Sequence, residues 1–372
     1  MLISFGSKLS RTAASLAFIA ASSCAMEALP QASSLVAETP HEWRKIDTES
    51  YKGKRDDIVF ASAKTGFYGT GAGELFRTDD GGASWTRIWH KPGTFIRALG
   101  FVDEQRGFLG NVGDAYPNVT DKVPLYQTRD GGRTWSPVDI GGAEVAGICA
   151  IDVLTTRSIY QGQLRDQAII HAAGRVSGPA KLLRSVDGGD TWTFIDLSDK
   201  AGMILDVKFM DANKGFVFAG SNSDIKESEA LILKTEDGGK SWREVYRSGR
   251  KLENSWKGSF VNAKTGYATV QNYDSKREEQ VIVKTVDGGN SWVELPLVRD
   301  PKARQFGIGF ASPQVGWVGT MVGGFETRDG GASWKAVPLA PAANKIRTRA
   351  SDGTPMVYAI GTEVQRYIPM GN

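Results

Sequence analysis

The chain has 372 residues, of which 41% are hydrophobic and 23% are charged, a composition typical of a folded globular protein rather than a disordered one. Its formal net charge is only +3, which argues against nucleic acid as a partner because phosphate binding needs a large basic excess. The 44 glycines and 10 tryptophans favour an all-β fold with many tight turns.

Residues 1–25 have the features of an export signal. A basic start is followed by the mostly apolar segment 12–21, which is too short to span a bilayer as a helix. Three interpretations remain open, namely cleavage after Ala25 to give a secreted protein, cleavage before Cys24, which would then carry lipid, and an uncleaved anchor. We therefore expect an exported protein, in the periplasm or on the outer surface, either free or lipid-anchored to a membrane.

The next elements in the chain belong to a repeat of the form Ser/Thr-x-Asp-Gly-Gly-x-Ser/Thr-Trp. Each copy stands between two strand-like stretches, which predicts a hairpin whose aspartate accepts turn N–H groups and whose glycines take positive φ. The tryptophan is expected to pack into the core. We call the six copies Asp boxes; they span residues 78–85, 128–135, 185–192, 235–242, 285–292 and 327–334.

The box aspartates are candidates for catalysis or calcium binding, but their recurrence in every repeat favours a structural role. They are Asp80, Asp130, Asp187, Asp237, Asp287 and Asp329, and the box tryptophans are Trp85, Trp135, Trp192, Trp242, Trp292 and Trp334. No catalytic residue, metal site or cofactor is predicted, since the three histidines form no ligand pattern. Cys149, in an apolar run, is interpreted as a small buried residue.

A second signature precedes five of the boxes: a phenylalanine, a polar turn, then glycine and an aromatic residue. Its copies are 60–67, 101–108, 209–216, 260–267 and 310–317. It predicts an inner strand, a turn and a second strand, so that each unit has four strands and forms a propeller blade.

The two ends of the repeat determine the blade count. Residues 346–368 supply inner strands without a box, whereas 43–46 resemble the outer strand 85–88. If the N-terminal strand completes the last blade, the ring closes and exposes no sheet edge. We predict one domain over 41–370, a monomeric all-β seven-bladed β-propeller of four-stranded antiparallel blades, closed by an N-terminal strand.

These motifs resemble the BNR/Asp-box propellers and, within them, the photosystem II stability/assembly factor family. The resemblance covers roughly residues 41–368, and its opening includes the segment 57–60, Gly66-Phe67 and the first box. It implies a non-catalytic scaffold that binds another exported or membrane protein through a propeller face, with no chemistry of its own.

Two alternatives stay open. Sialidase-like glycoside hydrolases share the Asp box, but they need an arginine cluster and paired acids. No Arg-Ile-Pro opening motif is present, although Arg97, Arg304, Arg347 and Arg349 could supply arginines. The other alternative is a propeller that binds a small ligand in its channel.

Polar positions that alternate with apolar ones on the inner strands predict a mixed-charge channel, either paired with itself or able to bind a ligand. The candidate binding residues are Asp57, Asp206, Lys208, Lys257, Arg347 and Arg349; uncharged positions there include Ala98, Gly100, Gly147, Cys149, Gly307 and Gly309. Two segments, 111–124 and 152–179, are longer than the repeat predicts, and they are either recognition loops or neutral insertions.

Overall fold

The computed structural model describes residues 41–160, 163–351 and 354–369, so the predicted export signal and Cys24 lie outside the described residues. Seven four-stranded antiparallel sheets form a seven-bladed β-propeller, which confirms the predicted fold. The inner strands of neighbouring blades contact one another around the whole ring. Within the described ranges the one helix is the short 3-10 turn Gly113–Ala115, and no helix there is long and apolar enough to cross a membrane.

The strands follow the repeat and run from the inner to the outer position of each blade. Blade 1 has β2 (Asp57–Phe60), β3 (Gly66–Gly69), β4 (Glu74–Thr78) and β5 (Thr86–His90). Blade 2 has β6 (Ile96–Phe101), β7 (Gly107–Asn111), β8 (Leu125–Thr128) and β9 (Ser136–Pro137). Blade 3 has β10 (Ala150–Tyr160), β11 (Gln163–Ala173), β12 (Lys181–Ser185) and β13 (Thr193–Asp196).

The remaining blades repeat the same order. Blade 4 has β14 (Met203–Phe209), β15 (Gly215–Gly220), β16 (Ala230–Thr235) and β17 (Arg243–Arg247). Blade 5 has β18 (Glu253–Phe260), β19 (Gly266–Asn272), β20 (Glu279–Thr285) and β21 (Val293–Arg299). Blade 6 has β22 (Gln305–Phe310), β23 (Gly316–Thr320), β24 (Gly323–Thr327) and β25 (Lys335–Val337). Blade 7 has β26 (Lys345–Ser351), β27 (Thr354–Ile360), β28 (Val364–Pro369) and, outermost, β1 (His41–Ile46).

The N-terminal strand closes the ring as predicted. β1 pairs antiparallel with β28, so that Trp43 lies opposite Tyr367. Trp43 is only 7% exposed and meets Trp317 of blade 6 edge-to-face, with ring centroids 5.7 Å apart. The strand therefore fills the edge of blade 7 and packs its tryptophan against the neighbouring blade.

The aromatic half of the second signature stacks one blade on the next. Phe67 of blade 1 stacks on Phe101 of blade 2, with centroids 3.7 Å apart, and Tyr267 of blade 5 stacks on Phe310 of blade 6 at 3.5 Å. Tyr358 stacks on Phe60 across the closure. Each phenylalanine of the motif also meets the edge of its own blade's box tryptophan; the pairs are Phe60–Trp85, Phe101–Trp135, Phe209–Trp242, Phe260–Trp292 and Phe310–Trp334.

Each Asp box is a hydrogen-bonded loop between the third and fourth strands. In the first box the Thr78 hydroxyl accepts the N–H of Gly82 at 2.9 Å and donates to Asp80 at 2.7 Å. Asp80 also accepts the backbone N–H and the hydroxyl of Ser84. These hydrogen bonds, the Ser84 hydroxyl first, lower the pKa of Asp80 to about 2. The glycine pair takes positive φ in all six boxes.

The same partners recur in the other five boxes, at similar distances. We call the side of the ring that carries the boxes and the first-to-second strand turns the box face. The upper face is the opposite side, with the second-to-third strand connections and the links between blades.

Blade 3 departs from the sequence prediction. An insertion is predicted over 152–179, but residues 152–160 and 163–173 lie within the two long strands β10 and β11, and Asp152 is part of the inner strand. Gly147 and Cys149, predicted as inner-strand positions of the channel, lie directly before that strand. The phenylalanine anchor is missing from β10, which is why its register could not be set from the motif.

Candidate binding site in the central channel

Charged side chains from four inner strands surround a cavity of about 160 Å³ in the central channel, which we call the lysine cavity. Its charged lining residues are Asp152, Asp206, Lys208, Lys257, Lys345 and Arg347. Arg349 lines an adjoining cavity together with Asp152, Lys208 and Arg347. Asp57 lies behind Arg347 and bonds to its guanidinium at 2.9 Å. All six predicted channel residues are thus gathered in one region.

The carboxylates of this region connect neighbouring blades. One oxygen of Asp57 accepts the N–H of Leu99 at 3.0 Å, and one oxygen of Asp152 accepts the N–H of Phe209 at 2.8 Å. Asp206 accepts the N–H of Gly258 at 3.1 Å in the same way. Each carboxylate thereby holds the inner strand of the following blade.

The second oxygen of each carboxylate meets a cation. Asp57 pairs with Arg347, and Asp152 pairs with Lys208 at 2.6 Å. Asp206 faces two ammonium groups, Lys345 at 3.1 Å and Lys257 at 3.7 Å. Charge-assisted hydrogen bonds of this kind are stronger than neutral ones, so the acids are firmly oriented.

The pair of lysines around Asp206 gives the cavity an excess of positive charge. Burial would raise the pKa of Asp206, but Lys345 and Lys257 outweigh it and lower the pKa to about 2. Burial also lowers the pKa of Lys257 to about 7, an effect that the charge of Asp206 only partly offsets. Around the cavity stand four cationic side chains and two carboxylates, so the lining is basic, most strongly when Lys257 is protonated.

A second ionic cluster fills the channel towards the upper face. Arg97 and Lys54 both pair with Asp56; Arg97 and Asp56 are buried, whereas the Lys54 side chain is 27% exposed. The guanidinium of Arg97 lies over the ring of Trp256, 5.3 Å from its centroid, and the indole N–H of Trp256 donates to Asn344 at 3.1 Å. Burial lowers the pKa of Lys54 to about 8 despite the nearby Asp56. Solvent is excluded from Arg97 and Asp56, so their ion pair is part of the fold.

The connection 111–124 and the loop that follows β11 meet on the upper face. Asp114 of the first pairs with Arg175 of the second at 3.1 Å. Tyr116 stacks on Phe95, with centroids 5.1 Å apart, and remains 41% exposed. Cys149 is buried beneath them in a small apolar cluster. The two segments therefore form one joined cap.

The sequence patterns did not predict Asp152 and Lys345 in the cavity, or Lys54, Asp56 and Arg97 in the upper cluster. The triplet Ile151-Asp152-Val153 has the same apolar–acid–apolar form as Leu205-Asp206-Val207 on the inner strand of blade 4, and that signal could have identified Asp152. The upper cluster has no such signal, because Lys54 and Asp56 precede their strand. No group of three or more potential metal-ligating side chains occurs in the part of the chain that the structure describes.

No protein-family model matches the chain. It is 25% identical over 172 residues to the chloroplastic photosystem II stability/assembly factor HCF136 of Arabidopsis thaliana, a match that covers 45% of this chain and 36% of that protein. It is 29% identical over 172 residues to the photosystem II assembly lipoprotein Ycf48 of Synechococcus sp. (strain CC9902), covering 44% of this chain and 42% of that protein. The chain is similar to these assembly factors. The matches span less than half the length of either relative.

Solved structures share the fold over most of the chain. A structure of YCF48 bound to D1 peptide covers 90% of this chain and 96% of its own, with a TM-score of 0.62 and 16% identity. The GH74 enzyme of Niastella koreensis covers 84% of this chain and 52% of its own, with a TM-score of 0.57 and 16% identity. At these identities the likeness shows the propeller fold alone.

Proposed function

We propose that this protein is an exported, non-catalytic scaffold that binds another exported or membrane protein during its assembly. The observation that carries the proposal is that the carboxylates of the channel are engaged in contacts that hold the blades together. Asp57, Asp152 and Asp206 each accept a backbone N–H from another inner strand and pair with a cation. A glycoside hydrolase needs one carboxylic acid and one carboxylate free to act on the sugar, and these three are committed to holding the blades.

The similarity to two photosystem II assembly factors supports the same proposal. One solved structure of this fold is described as YCF48 bound to D1 peptide, so a propeller of this type can take a polypeptide ligand. A photosystem II intermediate is therefore the partner that the resemblance implies, and an exported or membrane location follows from it. Residues 1–25 would deliver the protein there, with Cys24 as the lipid attachment site if the chain is a lipoprotein.

We place the docking surface on the upper face. Three apolar side chains are exposed there on second-to-third strand connections, namely Tyr116 at 41%, Met321 at 44% and Val322 at 48%. Tyr116 belongs to the cap that Asp114 and Arg175 fix in place, so it is presented by a supported segment. Loops on a rigid scaffold commonly carry recognition, and exposed apolar residues supply the burial that binding needs.

Affinity capture from membranes of the native host tests the proposal. The wild-type protein should retain one defined partner, identified by mass spectrometry, whereas Tyr116→Ser combined with Val322→Ser should lose it. Val286→Ser is the matched control, because Val286 is 66% exposed but lies in an Asp box on the opposite face. Equal loss of the partner from the control, or turnover of aryl glycosides that co-purifies with the protein, would contradict the scaffold proposal.

A further inference from the structure

The lysine cavity contains two buried ammonium groups that share a single carboxylate. Lys257 and Lys345 both face the same oxygen of Asp206, and both side chains are at most one-tenth exposed. No other acid in the described residues forms an ion pair with either lysine. A buried positive charge without its own anion is costly, so this site is electrostatically prepared for a further negative group.

Hydrogen-bonding capacity points the same way. An ammonium group has three N–H donors. Lys257 donates to the carbonyl oxygen of Leu205 at 2.6 Å, and Lys345 donates to Asp206 at 3.1 Å. Lys208, on the same cavity wall, donates to Asp152. Each of the three lysines therefore retains N–H donors beyond those contacts.

The lysine cavity is also accessible from solvent. Lys208 and Arg347 line it and their side chains are 38% and 30% exposed, whereas Lys257 is 3% exposed. Solvent thus meets one end of the cavity while the two lysines around Asp206 stand at its buried end. A volume of about 160 Å³ suits one small ion and excludes a folded segment of another protein.

We propose that the lysine cavity binds a free, small, doubly charged oxyanion of the sulfate, phosphate or short dicarboxylate class. Lys257 and Lys345 are the principal donors, with Lys208 and Arg347 at the entrance. The bound ion supplies the negative charge that, together with Asp206, balances the two buried ammonium groups. The site lies in the channel, apart from the docking surface around Tyr116, so this inference does not depend on the proposed partner.

Binding is coupled to proton uptake by Lys257. The groups that face it are Asp206 from β14, Lys345 from β26, Arg97 from the upper cluster and Cys149, which directly precedes β10. Its pKa near 7 means that the amine is only partly protonated at neutral pH. A bound dianion favours the ammonium form and raises that pKa, so affinity falls as the pH rises above about 7, by at most about tenfold per pH unit.

Isothermal titration calorimetry of the purified protein with sulfate tests both the binding of the anion and its coupling to proton uptake. Sulfate is the suitable probe because it does not itself change protonation state near pH 7. We expect saturable binding at constant ionic strength, with proton uptake revealed by buffers of different ionisation heat. Lys257→Gln should weaken binding at least about tenfold. Lys257→Arg keeps the charge at every pH, so it should retain binding and lose the pH dependence. Lys240→Gln removes the same charge from an exposed box turn, and it should alter neither the affinity for sulfate nor its pH dependence.

Lys345→Gln provides a second variant if changes at Lys257 prevent folding, which circular dichroism would reveal. It should weaken sulfate binding while proton uptake persists and moves to higher pH, since burial still lowers the Lys257 pKa but the additional repulsion by Lys345 is gone. The proposal is overturned if sulfate, phosphate and succinate all fail to bind the folded protein. It is also overturned if Lys240→Gln weakens binding as much as Lys257→Gln, or if an acidic peptide binds the cavity and the small ions do not.

Discussion

The ammonium of Lys345 lies 3.1 Å from the carboxylate of Asp206, and the pair joins blades 7 and 4, which are not neighbours in the ring. Most strand contacts between different blades join neighbouring blades. The pair spans the channel instead, and the guanidinium of Arg97 over Trp256 does the same between blades 2 and 5. Buried charge at the centre therefore links parts of the ring that the repeat itself does not connect.

Replacing the central acid should be strongly destabilising. Asp206→Asn removes the charge that two buried ammonium groups face, and we expect a loss of about 3–5 kcal/mol in the free energy of unfolding. Urea denaturation followed by tryptophan fluorescence measures it. Asp199→Asn is the control, since Asp199 pairs with Lys200 at the surface, and it should change stability by less than about 0.5 kcal/mol. Equal effects of the two variants would contradict the cross-channel role.

Stability should also depend on pH through His171. Burial lowers its pKa to about 3, an effect that the charge of Asp152 only partly opposes. Because the folded pKa is below the unfolded value near 6.5, stability is fully present above about pH 6.5 and is lost as the pH falls towards 3. The free energy of unfolding should change with a slope that approaches about 1.4 kcal/mol per pH unit below pH 6.

A substitution at His171 isolates the contribution of this histidine to the pH dependence of stability. His171 stacks on Phe209 at 3.5 Å and accepts the Nε–H of Arg184 at 3.2 Å. His171→Phe keeps a ring for stacking and cannot take up a proton, so the slope between pH 6.5 and pH 4 should flatten in thermal melts. His90→Gln should retain the wild-type slope, because His90 is exposed on an outer strand. An unchanged slope in His171→Phe would exclude the histidine as its source.

Closure of the ring can be tested at Trp43. Trp43→Ala leaves a cavity between Trp317 and Tyr367, and we expect a loss of about 3–5 kcal/mol together with exposure of the edge of β28. Differential scanning calorimetry and light scattering on heating would record a lower melting temperature and earlier aggregation. Trp89→Ala is the comparison. Trp89 also lies on an outer strand but is less buried, so its replacement should reduce the free energy of unfolding by less.

The Asp box should contribute through hydrogen bonds rather than ligand chemistry. Asp130 accepts the backbone N–H and hydroxyl of Thr134 and the hydroxyl of Thr128. Asp130→Ala should therefore cost about 1–3 kcal/mol, and added calcium should not restore the stability. Asp190→Ala, which removes only an exposed pair with Arg129, should be close to neutral in the same urea titration. Stabilisation of the wild type by calcium would reverse this assignment.

Local motifs predicted the fold because six of the seven blades carry an Asp box and five carry the phenylalanine signature. The box and the Gly-aromatic step encode turns and stacks within a few tens of residues, so the blade count and the β1–β28 pairing followed from them. The prediction failed in blade 3, where β10 lacks the phenylalanine anchor. Four of the six charged residues that line the lysine cavity were predicted. Lys345 was not, because it meets Asp206 through the ring geometry and not through any spacing in the sequence. The upper cluster depends on Lys54 and Asp56 in a link between strands, which no periodicity marks.

The pairing of β1 with β28 also sets an order of events. β1 is synthesised before every other strand of the propeller, yet its partner is the last, and the ion pair of Lys45 with Glu363 joins residues 318 positions apart. The blades between them can form from local contacts while the chain is still growing. The seventh cannot, and its closure carries the greatest loss of chain entropy in the molecule. Until that step the outer edge of β28 is unsatisfied, which makes a nearly complete ring the species most open to misassociation.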